Sequence, residues 1–178
     1  MFNVFGSRID IQVLDLLKTD AEGLVLPAND HLWMGAGPAL RVKQAGGEAI
    51  EVDAVRQGPL ALGTAVGTDA GTLALRRIYH AVVMGQDLKT RHDQIAPALA
   101  AALQLAFKDR LASLALAPLE SEELTGPFHD AAQIVVTALF DALGRSSTLK
   151  SVLLVTAKPE SRDTYRQAFL RVLGGPHR

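Results

Sequence analysis

Short apolar runs take turns with longer stretches of helical period along the whole chain, and this restricts the fold more than any other feature. Residues 8–14 read Arg-Ile-Asp-Ile-Gln-Val-Leu, the period-2 pattern of a strand with one buried face. Residues 24–26 and 78–84 are nearly continuous apolar runs, as in strands covered on both faces. Further strands are predicted at 64–68, 111–118 and 152–156. Helices are predicted from Ala39 to the Gly46-Gly47 pair, over 48–56, from about Thr90 to Arg110, over 129–143, and from Pro159 to just before Gly174. Such alternation calls for an α/β fold, a three-layer α/β/α sandwich around a mixed, mostly parallel sheet.

The punctuation supports these bounds. Pro38 suits a first helical position, where its missing N–H costs nothing. Thr90 with Asp93 three residues on resembles a capping box, and Pro97 either kinks the following helix or marks its true start. With 178 residues and no repeat, linker or low-complexity stretch, residues 1–178 read as a single domain. Lys plus Arg total 18 against 19 for Asp plus Glu, a balance that argues against nucleic acid as a partner. The absence of cysteine excludes disulfides, thiolate zinc sites and cysteine nucleophiles. Residues 1–8 lack the pattern of a signal peptide, and the longest uncharged run, 94–107, is shorter than the ~20 residues a membrane span needs. The expectation is a cytoplasmic protein with no membrane contact.

Chemistry concentrates in residues 24–37, Leu-Val-Leu-Pro-Ala-Asn-Asp-His-Leu-Trp-Met-Gly-Ala-Gly: strand, polar turn, glycine loop, helix start. A helix N-terminus offers free N–H groups and the positive end of the macrodipole, so this is a ready-made anion site. The dinucleotide fingerprint is incomplete, because Leu40 stands where a third glycine would be. On the residues alone the segment is either an anion site or a tight strand-to-helix connection. His31, His80, His92, His129 and His177 show no metal-ligand spacing, so no metal and no cofactor are expected, and His80 reads as a core histidine. Arg162, Arg166 and Arg171 make the last helix basic, either a solvated face or a surface for an acidic partner.

The spacing of several motifs resembles the macro domain family, the ADP-ribose-binding module. Leu14-Asp15-Leu16 leads to Leu26-Pro27-Ala28-Asn29, a step of 14 residues from Asp15 to Asn29, as the family's Gly-Asp-Ile leads to its Asn-Ala-Ala-Asn. Gly35-Ala36-Gly37-Pro38-Ala39 falls where the family has its glycine loop. Gly58, Gly63, Thr68-Asp69-Ala70-Gly71 and Ile78-Tyr79-His80 follow the family's order downstream. The resemblance covers residues 8–84. It implies a macro-like α/β/α fold and ADP-ribose or an ADP-ribosylated substrate as partner.

The resemblance also implies site roles. Asp15 would accept from the adenine amino group, with the backbone of Leu16 beside it, and Asn29 would bond the ribose beyond the diphosphate. Gly35, Ala36 and Gly37 would line that ribose and the adjoining phosphate. In the second loop Ser121, Thr125 and Gly126 would meet the ligand. Asp15 and Asn29 could equally be turn residues, and Trp33 either covers a ribose or plugs the core edge. The departures are also specific. Leu26 replaces the first Asn of the family pattern, and Glu120, Glu122 and Glu123 stand where glycine backbone would cradle a diphosphate. Thr156 and Ala157 follow the last strand where the family has an aromatic residue. These define the alternative reading, a degenerate macro domain acting through protein contacts. For hydrolysis of an ADP-ribosyl bond, the deacetylase-branch Asp position holds Ala39, while Lys43 falls near the lysine of the glycohydrolase branch; its acid partner in the second loop is replaced by Thr125.

Overall fold

Strands rich in Val, Ile and Leu need both a hydrogen-bonding neighbour and a cover for each apolar face, and the fold follows from meeting both demands. The computed structural model describes residues 1–120, 127–145 and 147–174. In it β1 (Phe2–Val4), β2 (Ser7–Val13), β3 (Gly23–Asn29), β4 (Ala65–Thr68), β5 (Arg77–Met84), β6 (Ser113–Leu116) and β7 (Ser151–Thr156) form one sheet. The strand order is β1-β2-β7-β6-β3-β5-β4. The inner five strands are parallel, and the two edge strands β1 and β4 are antiparallel to their neighbours.

Helices α1 (Gly37–Gly46) and α2 (Ala49–Arg56) cover one face, while α3 (His92–Lys108), α4 (Phe128–Arg145) and α5 (Pro159–Gly174) cover the other. On the first face Leu24, Leu26 and Ile78 pack against Val42 and Ile50. On the second, Ile9, Val25, Leu116 and Leu154 meet Leu99, Leu103, Val136 and Phe169. Every residue of β3 is buried, as a strand between two helical layers must be. In β2 only Ser7, Ile9 and Ile11 are buried, and the Arg8, Asp10, Gln12 side stays open; this is the alternation read in the sequence. The expected three-layer architecture with a mixed, mostly parallel sheet is the observed one.

Several local expectations need correction. β1 was not predicted; it pairs with β2 across a Phe5-Gly6 turn with φ of 48° and 82°, and Phe2 stacks on Phe169 with ring centroids 4.8 Å apart. β3 does not stop at Pro27 but runs to Asn29. Val25 turns its carbonyl toward β6, accepting from Ala117 N–H, so Pro27, two residues on, turns its missing N–H to the same side, beyond the end of β6. β6 spans only Ser113–Leu116, not 111–118. The capping box is absent: α3 starts at His92 with Arg91 as N-cap, and Pro97 lies inside it. Thr90 is instead buried and donates its hydroxyl to the Leu119 carbonyl at 3.3 Å, since a buried hydroxyl requires an acceptor. α1 begins at Gly37, two residues before Ala39, and α5 includes Gly174.

After β5 the chain crosses β3 through α3 to add β6 and β7 on its far side. The connection that leaves β3 runs to α1 on one face, while those that leave its neighbours β5 and β6 run to α3 and α4 on the other, which makes a crevice at a topological switch point.

His80 is the core histidine predicted. It is buried on β5, with Nε2 3.0 Å from the Thr68 hydroxyl, and burial pushes its pKa down to about 4. Unfolded, it would take a proton near its ordinary pH 6.5, which the folded state excludes. Its contribution to stability is therefore complete above pH 6.5 and falls away as pH drops toward 4, by about 3 kcal/mol in all. Urea unfolding between pH 7 and 4 should show this decline, and His80→Gln should remove the matching part of the slope.

Candidate functional site

The parallel strands end on one edge of the sheet, and the residues singled out in the sequence stand there on separate strands. The β2–β7 pairing is carried one step further by Leu14 N–H donating to the Thr156 carbonyl, which fixes the start of the next turn. Asp15 is the N-cap of a single 3-10 turn, Leu16–Lys18. Its Oδ1 accepts the Leu17 N–H at 3.1 Å and the Arg41 guanidinium from α1 at 2.7 Å. The Leu17 N–H above all, with Arg41 behind it, holds this carboxyl below the usual carboxylate range. Among the described residues Oδ2 takes no donor. Leu16 is buried beneath the turn.

A register shift between Ala28 and Asn29 in the β3–β5 pairing re-aims Asn29 at the strand end. Asn29 is buried; its amide oxygen is fully engaged, while one of its two amide protons has no acceptor among the described residues. Oδ1 accepts from the His31 and Trp33 N–H groups at 3.1 and 3.2 Å and from Gln86 at 3.3 Å, while Nδ2 donates to the Trp33 carbonyl at 2.8 Å. These bonds hold the 30–33 turn and with it Leu32, buried at a φ of 65°. The turn role weighed for Asn29 is therefore present. Trp33 is 52% exposed beside the glycine loop and does not plug the core edge.

Gly35, Ala36 and Gly37 are exposed, and α1 begins behind them without a side-chain cap. Their three N–H groups have no acceptor among the described residues. Gly37 has a φ of 56°, which favours glycine. Gly35 has no such φ, and a Cβ built on it would meet nothing within 4 Å, so the chain's own packing does not explain this glycine.

The loop is braced from below. Glu51 on α2 accepts the Met34 N–H at 2.5 Å and binds the Lys43 ammonium at 3.0 and 3.1 Å, with both side chains less than one-fifth exposed. A lysine attacks only as a neutral amine, and Lys43 is here ion-paired with both oxygens of Glu51. At the end of β6, Glu120 accepts the Tyr165 hydroxyl of α5 at 2.9 Å, and burial pushes the carboxyl up. Thr156 is buried and donates to the Gln12 carbonyl at 3.2 Å. Ser121, Glu122, Glu123, Thr125 and Gly126 lie outside the described residues.

Sequence reasoning did not single out Arg41, Glu51 or Gln86. Each acts across elements, and no spacing rule ties Arg41 to a residue 26 positions earlier or Gln86 to one 57 positions earlier. Glu51 was within reach: the Gly46-Gly47 break reverses the chain and brings α2 back to α1.

A Macro domain family model matches residues 25–135. Among curated relatives, an uncharacterized protein of Aquifex aeolicus is 38% identical over 104 residues, 57% of this chain and 63% of that protein. An uncharacterized protein of Pyrobaculum aerophilum is 26% identical over 178 residues, 98% of this chain and 97% of its own. The matches span 63%, 54% and 38% of the first relatives' own length. Among solved structures, the Oceanobacillus iheyensis macrodomain with ADP superposes with a TM-score of 0.85 at 21% identity, covering 97% of this chain and 95% of that one. The Trypanosoma brucei macrodomain in complex with ADP gives 0.80 at 18%, covering 90% and 68%. At these identities the likeness shows the fold.

Removing the brace should be costly. Glu51→Ala leaves the Met34 N–H and a mostly buried Lys43 ammonium without their partner, and an unfolding titration should show a loss of about 2–3 kcal/mol.

Proposed function

The chain belongs to the Macro domain family, and from that premise we propose that its cleft binds ADP-ribose or a related ADP-ribosyl nucleotide, residues 1–178 acting as a single macro-like domain. The observation that carries this reading is the glycine loop: three exposed N–H groups without an acceptor among the described residues, at an uncapped helix start, beside a glycine the fold itself does not require. Free N–H groups at a helix N-terminus complement a phosphate. The Oceanobacillus iheyensis and Trypanosoma brucei macrodomains, solved with ADP, share the fold. In this reading Asp15 receives the adenine amino group on Oδ2, beside the backbone of Leu16. The ribose beyond the diphosphate lies between Asn29, Trp33 and the glycine loop. The partner is then the free nucleotide or a cytoplasmic ADP-ribosylated molecule.

The alternative, a degenerate domain closed to nucleotide, calls for carboxylates in the diphosphate position. The Glu120 carboxyl is turned to Tyr165 of α5, which favours the nucleotide reading.

Calorimetric titration with ADP-ribose, with AMP as control, tests it. The expected Kd is micromolar or tighter, about −8 kcal/mol. Gly35→Val should weaken binding at least tenfold with the melting temperature unchanged, because its Cβ enters open space. Asp15→Ala should cost roughly tenfold or more, the loss of one hydrogen bond to a charged group. Asn29→Ala is a poor probe, since it unpins the 30–33 turn. No heat at millimolar ADP-ribose overturns the proposal.

A further inference from the structure

A second concentration of polar groups lies at the opposite end of the sheet from the glycine loop, on the face shared with α1 and α2. From β2 the chain reaches β3 by crossing β7 and β6 with residues 14–22 alone, a strap that holds one 3-10 turn and no α-helix. Between strap and sheet is a cavity of about 460 Å³, and none of its lining comes from α1 to α5. Parallel strands are ordinarily covered by helices on both faces. Here the first residues of three neighbouring strands are polar on the uncovered side.

Those residues stand in one row. Arg8 on β2 pairs with Ser151 on β7, and Ser151 pairs with Ser113 on β6. Residues paired across a sheet share a face, so the three side chains project to one side from strands about 4.8 Å apart. All three line the cavity. Neither the exposed Arg8 guanidinium nor the half-buried Ser151 hydroxyl has a partner among the described residues. Ser113 Oγ accepts the Glu22 N–H at 2.9 Å, which leaves its own proton to donate. Across the cavity the strap brings the Lys18 ammonium, also unpaired among the described residues. Two carboxylates are near. Asp10 is spent, with Oδ1 accepting the Ile11 N–H at 2.9 Å and Oδ2 the Gln12 amide at 2.7 Å, and the Met1 ammonium stands 4.0 Å from Oδ1. Asp20 is exposed on the strap.

A guanidinium fork and two hydroxyls on separate strands offer donors that do not lie in one plane. A carboxylate would satisfy the fork and have no oxygen left for both hydroxyls, whereas a tetrahedral oxyanion serves all three. Two unpaired cations also match the charge of a phosphate monoester, roughly −1.5 to −2 at pH 7. Beyond the row the cavity continues over Leu153 and Leu14 toward Gln12 and Thr19, which leaves room for an organic body.

We propose that this hollow binds a small phosphate monoester, its phosphoryl oxygens held by Arg8, Ser113 and Ser151, with Lys18 closing over them from the strap. The site goes beyond the nucleotide reading and does not depend on it. Asn29 stands at the other end of β3 from Gly23, which pairs with Leu114 beside the row, and the strand between them rises roughly 20 Å.

The test is an NMR titration of isotope-labelled protein with glycerol 3-phosphate, with sodium chloride at matched ionic strength as control. Saturable amide shifts are expected at Arg8, Ser113 and Ser151, half-maximal at about 1 mM or below. Arg8→Met gives up no contact with a described residue, so it should weaken binding about tenfold or more with the melting temperature unchanged. Ser151→Ala should weaken it roughly threefold or more. Gly35→Val should leave the shifts of the row as they are, since the glycine loop is a separate site. Sodium chloride shifts equal to those of the phosphate would make the row a solvated face and overturn the proposal. So would shifts confined to Gly35, Ala36 and Gly37, or an Arg8→Met variant that binds as tightly as wild type.

Discussion

The structure depends on burying β3 from both sides. A strand with no solvent on either face must satisfy its backbone through neighbouring strands and its side chains through helices above and below. β5 and β6 meet the first demand, α1 with α2 on one face and α3 with α4 on the other meet the second. Because the connection that leaves β3 and those that leave β5 and β6 run to opposite faces of the sheet, a crevice opens at the carboxyl end of β3. Asn29 stands at that end, and the glycine loop follows it.

What holds the loop also leaves it open. Asn29 secures the 30–33 turn from the strand side, and Glu51 secures Met34 from the helix side. Between Met34 and the first turn of α1 the backbone donors have no acceptor among the described residues. A rigid frame around unsatisfied donors is the physical form of a preorganised anion site, since the ordering cost is already met in folding. Arg41 adds a second tie, from α1 to Asp15, joining the loop to the far side of the cleft. Asp15 and the glycine loop are thus held as one unit by α1.

The fold was largely legible in the sequence. Hydrophobic period identified β2, β5, β7 and every helix, because burial on one or two faces is written residue by residue. The exceptions have local causes. β1 is too short to show a period, and Pro27 looked like a strand end because its tolerance depends on where β6 stops. Thr90 looked like a cap because its burial against Leu119 is invisible in one dimension. In the site, Asp15, Asn29 and Gly35 to Gly37 were visible through spacing that resembles a family. Arg41, Glu51 and Gln86 were not, since each bonds to a partner on another element.

The sequence by itself determined the α/β layering and the position of the glycine loop, because these follow from the local order of apolar and special residues. Only the tertiary structure decided the states of the polar groups. Lys43 is an ion-paired brace, the Asn29 amide oxygen is spent on its own turn, and Glu120 faces Tyr165. His31 Nδ1 lies between Asp30 and Gln86, the latter 55 positions away. A side chain's protonation and availability depend on what surrounds it in space, and those neighbours come from distant parts of the chain.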